Sequence, residues 1–208
     1  MTVEHEDRVQ MLVNPDSNYA MNQAYAMNRA QDGIIIEACS ADALGGDGVP
    51  VPLPPSQFIG DGTTPITFDV ITQSQEQFMK DEIMPDQAKV MIVGPTQVRK
   101  LMQLTEQTSS DYVNAQALQT LNATGIVPNW MGYTWIVSNL LEAPDVGQLY
   151  CIAMTKQAIG CAVNQDTFTR ISENPSMSYM WQVYSQFTLG AVRVEDEHLQ
   201  LIHVADTV

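Results

Sequence analysis

Positive charge is what this sequence has least of. Nine Lys and Arg stand against 24 Asp and Glu, a formal net charge of −15, and the only adjacent basic pair is Arg99-Lys100. Nucleic-acid binding needs clustered Lys and Arg to replace counterions on phosphates. Sequence-specific nucleic-acid binding is therefore excluded, and the acidity reads as solubility with weak self-repulsion. Cysteine is scarce too. Cys39, Cys151 and Cys161 are an odd number with no Cys-x-x-Cys spacing. That excludes a zinc cluster or a disulfide scaffold and predicts three unbridged, buried or half-buried thiols in a reducing compartment. Long apolar runs are missing. None reaches the roughly 18 residues a membrane helix requires, and the charged stretch Met1 to Arg8 lacks the apolar centre of a secretory signal. No membrane partner is expected.

What remains is the composition of a folded chain: 45 % hydrophobic and 16 % charged over 208 residues, enough for one sizeable core or two lobes sharing one. Twelve methionines read as adaptable core filler. Asn14-Pro15-Asp16 is a helix start, with a capping side chain, Pro at the first helical position and an acid at the positive dipole end. The helix extends to Ala38, with Tyr19, Gln23, Ala26, Met27, Ala30, Ile34 and Ala38 at three- and four-residue steps. Arg29 and Asp32 are spaced to pair on one face. Residues 40–64, rich in Gly and Pro, read as a long loop of the functional or mobile kind. Thr67 to Met84 reads as an amphipathic helix whose apolar side is Val70, Ile71, Ser74, Phe78 and Ile83.

A short strand is expected at Lys89–Val93, a helix from Gly94-Pro95-Thr96 to about Leu104, and another at Ser109–Asn122 closed by Gly125. Strands follow at Gly132–Val137 and Leu149–Met154, then a short helix or strand at Lys156–Val163. From Thr167 the pattern is that of a sheet. An aromatic, β-branched strand runs from Met177 to Leu189, broken by Gly190-Ala191, and its aromatics read as core. Leu199–Val204 closes the chain. The class is α+β.

No constellation for chemistry emerges. His198 and His203, five apart, are expected on opposite faces of a strand pair. The Gly94-Pro95-Thr96 turn lacks the Lys-Ser/Thr of a phosphate loop. The loops around Asp47 and Asp61 lack the alternating acids of a calcium site. Glu195-Asp196-Glu197 reads as a solvated hairpin end. No catalytic residue, metal or cofactor is expected, and the chain reads as a non-enzyme.

The stretch from Glu4 to Ala38, with its acidic start, Pro15-x-Ser17-x-Tyr19 and Arg29-Ala30-x-Asp32 followed by an apolar run, resembles the major capsid proteins of tailed bacteriophages. Gly190-Ala191-Val192-Arg193-Val194-Glu195-Asp196 resembles the end of that family. The resemblance implies the Hong Kong ninety-seven-type shell fold: a peripheral spine helix (1–44), an axial domain (45–165) and a peripheral C-terminal sheet (166–208) lying against the helix. It implies a structural subunit that self-assembles through pentamers and hexamers into an icosahedral head around phage DNA. Scaffold, portal and decoration proteins are the further partners it implies, with assembly in the bacterial cytoplasm and residence in the virion. Tyr19, Arg29, Asp32, Gly190 and Arg193 carry the resemblance as subunit-contact or fold-defining residues. The family's N-terminal arm and extended hairpin, which lace subunits together, have no counterpart before Pro15. A truncated body, a processed fragment or a misplaced start codon is expected, without the Lys–Asn cross-link. An encapsulin-like compartment shares the fold and is distinguished by enzyme cargo and absence of DNA. An unrelated α+β enzyme or binding domain would reveal itself by a bound metal or a trappable nucleophile.

Overall fold

The computed structural model describes residues 2–3, 16–103, 115–177 and 180–206. In chain order the elements are β1 (Thr2–Val3), α1 (Asp16–Ser40), β2 (Ala43–Leu44), β3 (Pro50–Val51), β4 (Phe58–Ile59) and α2 (Phe68–Lys80). Next come β5 (Lys89–Val93), α3 (Pro95–Gln103), α4 (Ala115–Thr124), β6 (Ile126–Trp130), β7 (Tyr133–Val137) and β8 (Gln148–Thr155). Three strands end the chain: β9 (Ile159–Asn174), β10 (Met180–Arg193) and β11 (Leu199–Ala205). The chain divides into two units, residues 1–35 with 161–191 and residues 36–160 with 192–208.

The larger unit holds the core. Its six-stranded mixed sheet has the order β4-β11-β8-β5-β7-β6. Strand β5 is central because its residues are apolar on both faces: Met91, Ile92 and Val93 are all buried. It pairs in parallel with β7, Met91 opposite Trp135, and antiparallel with β8. Helix α2 forms as its sequence dictates. The Thr67 side chain caps it by accepting from the Val70 N–H, and Val70, Ile71, Ser74 and Phe78 make one buried stripe. It stops at Lys80, short of Met84, because Glu82 takes a left-handed conformation (φ 59°). Ile83 N then reaches Phe78 O (3.0 Å) and Glu82 N reaches Met79 O (3.2 Å), the paired bonds of a Schellman stop. Helix α3 opens on Pro95 and buries Val98 and Leu101. Helix α4 ends at Gly125, whose φ of 74° continues no helix. Of the helix expected over Ser109–Asn122, residues 109–114 lie outside the described residues.

The smaller unit is built differently. Helix α1 covers 25 residues, about 37 Å at 1.5 Å per residue, yet none of residues 21–35 is buried. Its predicted start at Asn14-Pro15 lies outside the described residues. The three-stranded sheet has the order β1-β10-β9. Side-chain bonds Gln165–Gln186, Thr169–Ser185 and Asn174–Gln182 step along β9 and β10 in opposite senses, so the two run antiparallel. Gln31 of α1 donates to Thr167 of β9 at 3.1 Å.

Several sequence expectations need correction. The 40–64 loop contains the β2–β3 hairpin and β4, which pairs in parallel with β11. Two-residue strands leave no periodicity to read. Strand β6 was not expected. It contains Pro128, and Pro is tolerated there because β6 is the edge of its sheet. Strand β9 begins at Ile159, eight residues before Thr167. Strand β10 runs through Gly190-Ala191 to Arg193 without a break. Tyr184, expected in the core, is 49 % exposed, while Tyr179 and the side chain of Trp181 lie outside the described residues. Strand β11, expected in the peripheral sheet, pairs antiparallel with β8 inside the six-stranded sheet, and Leu199, Leu201, Ile202 and Val204 bury both its faces. Alternation predicts a strand but not which sheet receives it.

Candidate functional site

Arg193, at the end of β10, is the most constrained of the residues singled out by sequence. Its side chain is fully buried and all three nitrogens are used. Nε donates to Asp196 Oδ1 (2.6 Å), Nη1 to Ala41 O (3.1 Å) and Nη2 to Val51 O (2.6 Å). Only a planar fork with several donors can serve three acceptors in three directions. The guanidinium thereby joins the residue after α1, strand β3 and the 3-10 turn Asp196–His198. Cys39, two residues before Ala41, is also buried. Desolvation pushes its thiol up to about 12 even though the Arg193 charge pulls the other way. Glu195-Asp196-Glu197 is thus not merely a solvated hairpin end, since Asp196 supplies the counter-charge.

The other singled-out residues behave differently. Arg29 and Asp32 lie exposed on α1, and no ion pair joins them. Exposed pairs at this spacing are worth little, so solvent competes successfully. Gly190 sits exposed in β10 with an ordinary backbone, and a Cβ there would meet nothing within 4 Å. Tyr19 falls on α1, with its side chain outside the described residues.

The histidines are not on opposite faces of one strand pair. His198 sits in the 3-10 turn and His203 in β11. His198 Nδ1 bonds Thr155 Oγ1 at 2.7 Å and its Nε2 lies 3.0 Å from Glu195 Oε2. That order of hydroxyl, imidazole and carboxylate resembles a nucleophilic triad, but Thr155 is buried and its oxygen accepts the Gln157 N–H at 3.3 Å. The cluster closes a turn and offers no carbonyl access to its hydroxyl. His203 Nε2 bonds Gln148 Oε1 at 2.7 Å. Asp61 accepts from the Thr63 hydroxyl at 2.6 Å and from the Thr63 and Thr64 N–H groups, which together hold its carboxyl well below the usual range. Among the described residues no group of three or more His, Cys, Asp or Glu is gathered for a metal. Of the thiols, Cys39 and Cys151 are buried but Cys161 is exposed, which corrects the expectation that all three would be covered.

Sequence reasoning missed two features. One is a buried polar chain: the Ser74 hydroxyl lies 2.9 Å from Tyr133 Oη and donates to Gln200 Oε1 at 2.6 Å. The other is surface. Met21 and Tyr25 on α1, and Val163, Phe168 and Tyr184 on β9 and β10, are exposed apolar side chains on elements that bury little else. Their signal in the sequence was an apolar content along α1 too evenly spread to form one buried stripe.

A family model described as phage capsid protein matches residues 1–204. Among solved structures, the chain is similar to one from Mycobacterium phage Che8, at 18 % identity and a TM-score of 0.65, over 97 % of this chain and 68 % of that one. It is similar to the capsid of Ralstonia phage GP4, at 11 % identity and a TM-score of 0.71, over 100 % of this chain and 72 % of the other. A third similarity is to the holo-SrpI encapsulin complex from Synechococcus elongatus, at 13 % identity and a TM-score of 0.58, over 100 % and 72 % of the two chains. No curated protein sequence matches. These similarities show the fold, the α+β shell architecture of the Hong Kong ninety-seven type.

Proposed function

The chain belongs to the phage capsid protein family, and on that premise we propose that its copies build a head shell through rings of five and six that enclose phage DNA. Its role is structural rather than catalytic, and its place is the virion capsid. The observation that carries the proposal is the exposed length of α1: a 25-residue helix with residues 21–35 unburied and Met21 and Tyr25 open to solvent. Isolated helices draw most of their stability from tertiary packing of an apolar face. Neighbouring copies are the natural source of that packing, and symmetric repetition of modest contacts closes a shell.

In this proposal the unit of residues 1–35 and 161–191 is peripheral, and the unit of 36–160 with 192–208 is axial. The closing strand therefore moves from the peripheral to the axial part. Arg193 acts as a fold-defining residue. Tyr19, Arg29 and Asp32 act at subunit contacts. Gly190 has no such support, since nothing crowds it. Scaffold, portal and decoration proteins are the expected companions, with assembly in the bacterial cytoplasm. The net charge of −15 supports a wall that does not adhere to the DNA it holds.

An encapsulin-like compartment is the second reading, favoured by the likeness to the encapsulin complex. Electron microscopy of the expressed gene product separates the two. Shells that package DNA support the capsid, and shells that co-purify with an enzyme cargo support the compartment. Monodisperse monomer at every salt concentration, with and without the scaffold, counts against both.

A further inference from the structure

Helices α3 and α4 leave an open pocket of about 560 Å³ between them. Val98, Met102, Leu121 and Val137 supply its apolar lining, and the exposed Arg99 contributes a guanidinium. Arg99 makes no ion pair among the described residues. With Lys100 it forms the only adjacent basic pair in a chain of net charge −15. The pocket therefore asks for an apolar group flanked by acid.

The same chain carries such a group. Residues 142–146, Glu-Ala-Pro-Asp-Val, are all exposed, and Val146 is 98 % exposed, an unusual state for a branched apolar side chain. The loop is fixed at its base. Glu142 O accepts from Tyr150 N (3.0 Å), Gly147 O from Asp206 N (2.7 Å), and Val146 N donates to Asp145 Oδ1 (2.7 Å). A loop already held in shape loses little entropy on binding. The two surfaces lie on opposite flanks of β5. The loop leads into β8 and is tied beside β11, whereas the pocket lies over β7 and the helix that packs on β6.

We propose that Val146, flanked by Glu142 and Asp145, inserts into the α3–α4 pocket of a second copy, with the acids facing that copy's Arg99. A loop on one flank and a receptor on the other make a heterologous, head-to-tail contact, which closes into a ring when its rotation allows. The inference rests on the capsid reading and specifies which axial surfaces meet.

The test is charge reversal followed by rescue in the full chain, read by sedimentation and electron microscopy of assembled particles. Arg99→Glu alone and Glu142→Arg/Asp145→Arg alone should each weaken association about tenfold or more, and all three together should restore it. For any variant that fails to keep the native far-UV spectrum, a disulfide measurement replaces it. Copies carrying Val146→Cys and copies carrying Asn122→Cys, both with Cys161→Ser, should cross-link to one another on oxidation. Reversals without effect on a wild type that assembles, or assembled particles that fail to cross-link, overturn the docking and leave the capsid reading standing. Loss of assembly that the combined variant does not rescue also overturns it, and assigns the pocket to a different acidic partner. A wild type that never associates overturns the capsid reading and the docking together.

Discussion

Arg193 Nη1 donates to Ala41 O at 3.1 Å across 152 residues of sequence. Ala41 directly follows the longest element, α1, and Arg193 ends β10, so one side chain ties the end of the helix to the end of the strand. Because the guanidinium is buried and makes three hydrogen bonds, Arg193→Ala should destabilise the chain by about 2–3 kcal/mol through lost packing and lost bonds. Arg193→Lys should recover only part of that, since an ammonium cannot serve three diverging acceptors. Denaturant unfolding of the three proteins checks the order. Equal stability of the Lys and wild-type chains would show that the fork geometry is irrelevant.

The buried ionisable groups predict an alkaline limit. Burial pushes the Cys39 and Cys151 thiols and the Tyr133 phenol up to about 12, from ordinary values of 9.0 for the thiols and 10.0 for the phenol. All three are acids kept neutral by the fold. As pH rises past 9 the unfolded chain loses these protons first, so the folded state binds more protons and stability falls. The fall begins near pH 9 and continues to about 12, at ~1.4 kcal/mol for every pH unit separating the folded and unfolded values of one group. Below pH 9 these groups should contribute no slope. Denaturation midpoints measured from pH 7 to 11 test the sign.

Thiol chemistry should report the same burial. A thiol-specific chromogenic reagent at pH 8 should modify Cys161 quickly in the native protein, and Cys39 and Cys151 only on unfolding. A native Cys161→Ser chain that still reacts quickly would contradict the placement of the other two.

Two glycines should respond in opposite directions to alanine. At Gly60 φ is 87° and a Cβ would lie 2.4 Å from the backbone oxygen of His203, where β4 pairs with β11. Gly60→Ala should cost about 2–3 kcal/mol or more, because backbone, not a flexible tip, must yield. Gly33 lies inside α1 with nothing within 4 Å of a Cβ, so Gly33→Ala should gain roughly 0.5–1 kcal/mol from the helix preference of Ala. Thermal unfolding of the two variants compares them directly.

Glu82 is a third backbone test. It occupies a left-handed position that closes α2, with φ of 59°. Glu82→Gly relieves the Cβ clash of that conformation and should raise stability by roughly 0.5–1 kcal/mol. A destabilised variant would mean that the Glu82 side chain contributes more than its conformation costs.

How much of this was legible in the residues depends on how local each signal is. Helix α2 was readable because its cap at Thr67 and its buried stripe lie within one short window. Strand β5 was readable for the same reason, as a short apolar run between turn signals. Strand β6 was hidden by Pro128, which argues against a strand until the sheet order makes it an edge. Tyr184 of β10 was misassigned because a period of two identifies a face but not whether anything covers it. Tyr184 has the spacing of a core residue and is half exposed.

The class of the fold, the long helix and the likeness to capsid proteins are written in the residues alone. These follow from composition, short-range periodicity and motifs, all properties of neighbouring residues. It took the three-dimensional packing to show that Leu199–Ala205 pairs with β8 rather than with the long strands β9 and β10, that Arg193 meets Ala41 and Val51, and that the faces of α1 and β9 remain open. Such contacts join residues more than 40 apart in sequence. Their formation rests on which surfaces exclude water together, and a local pattern carries no record of its distant partner.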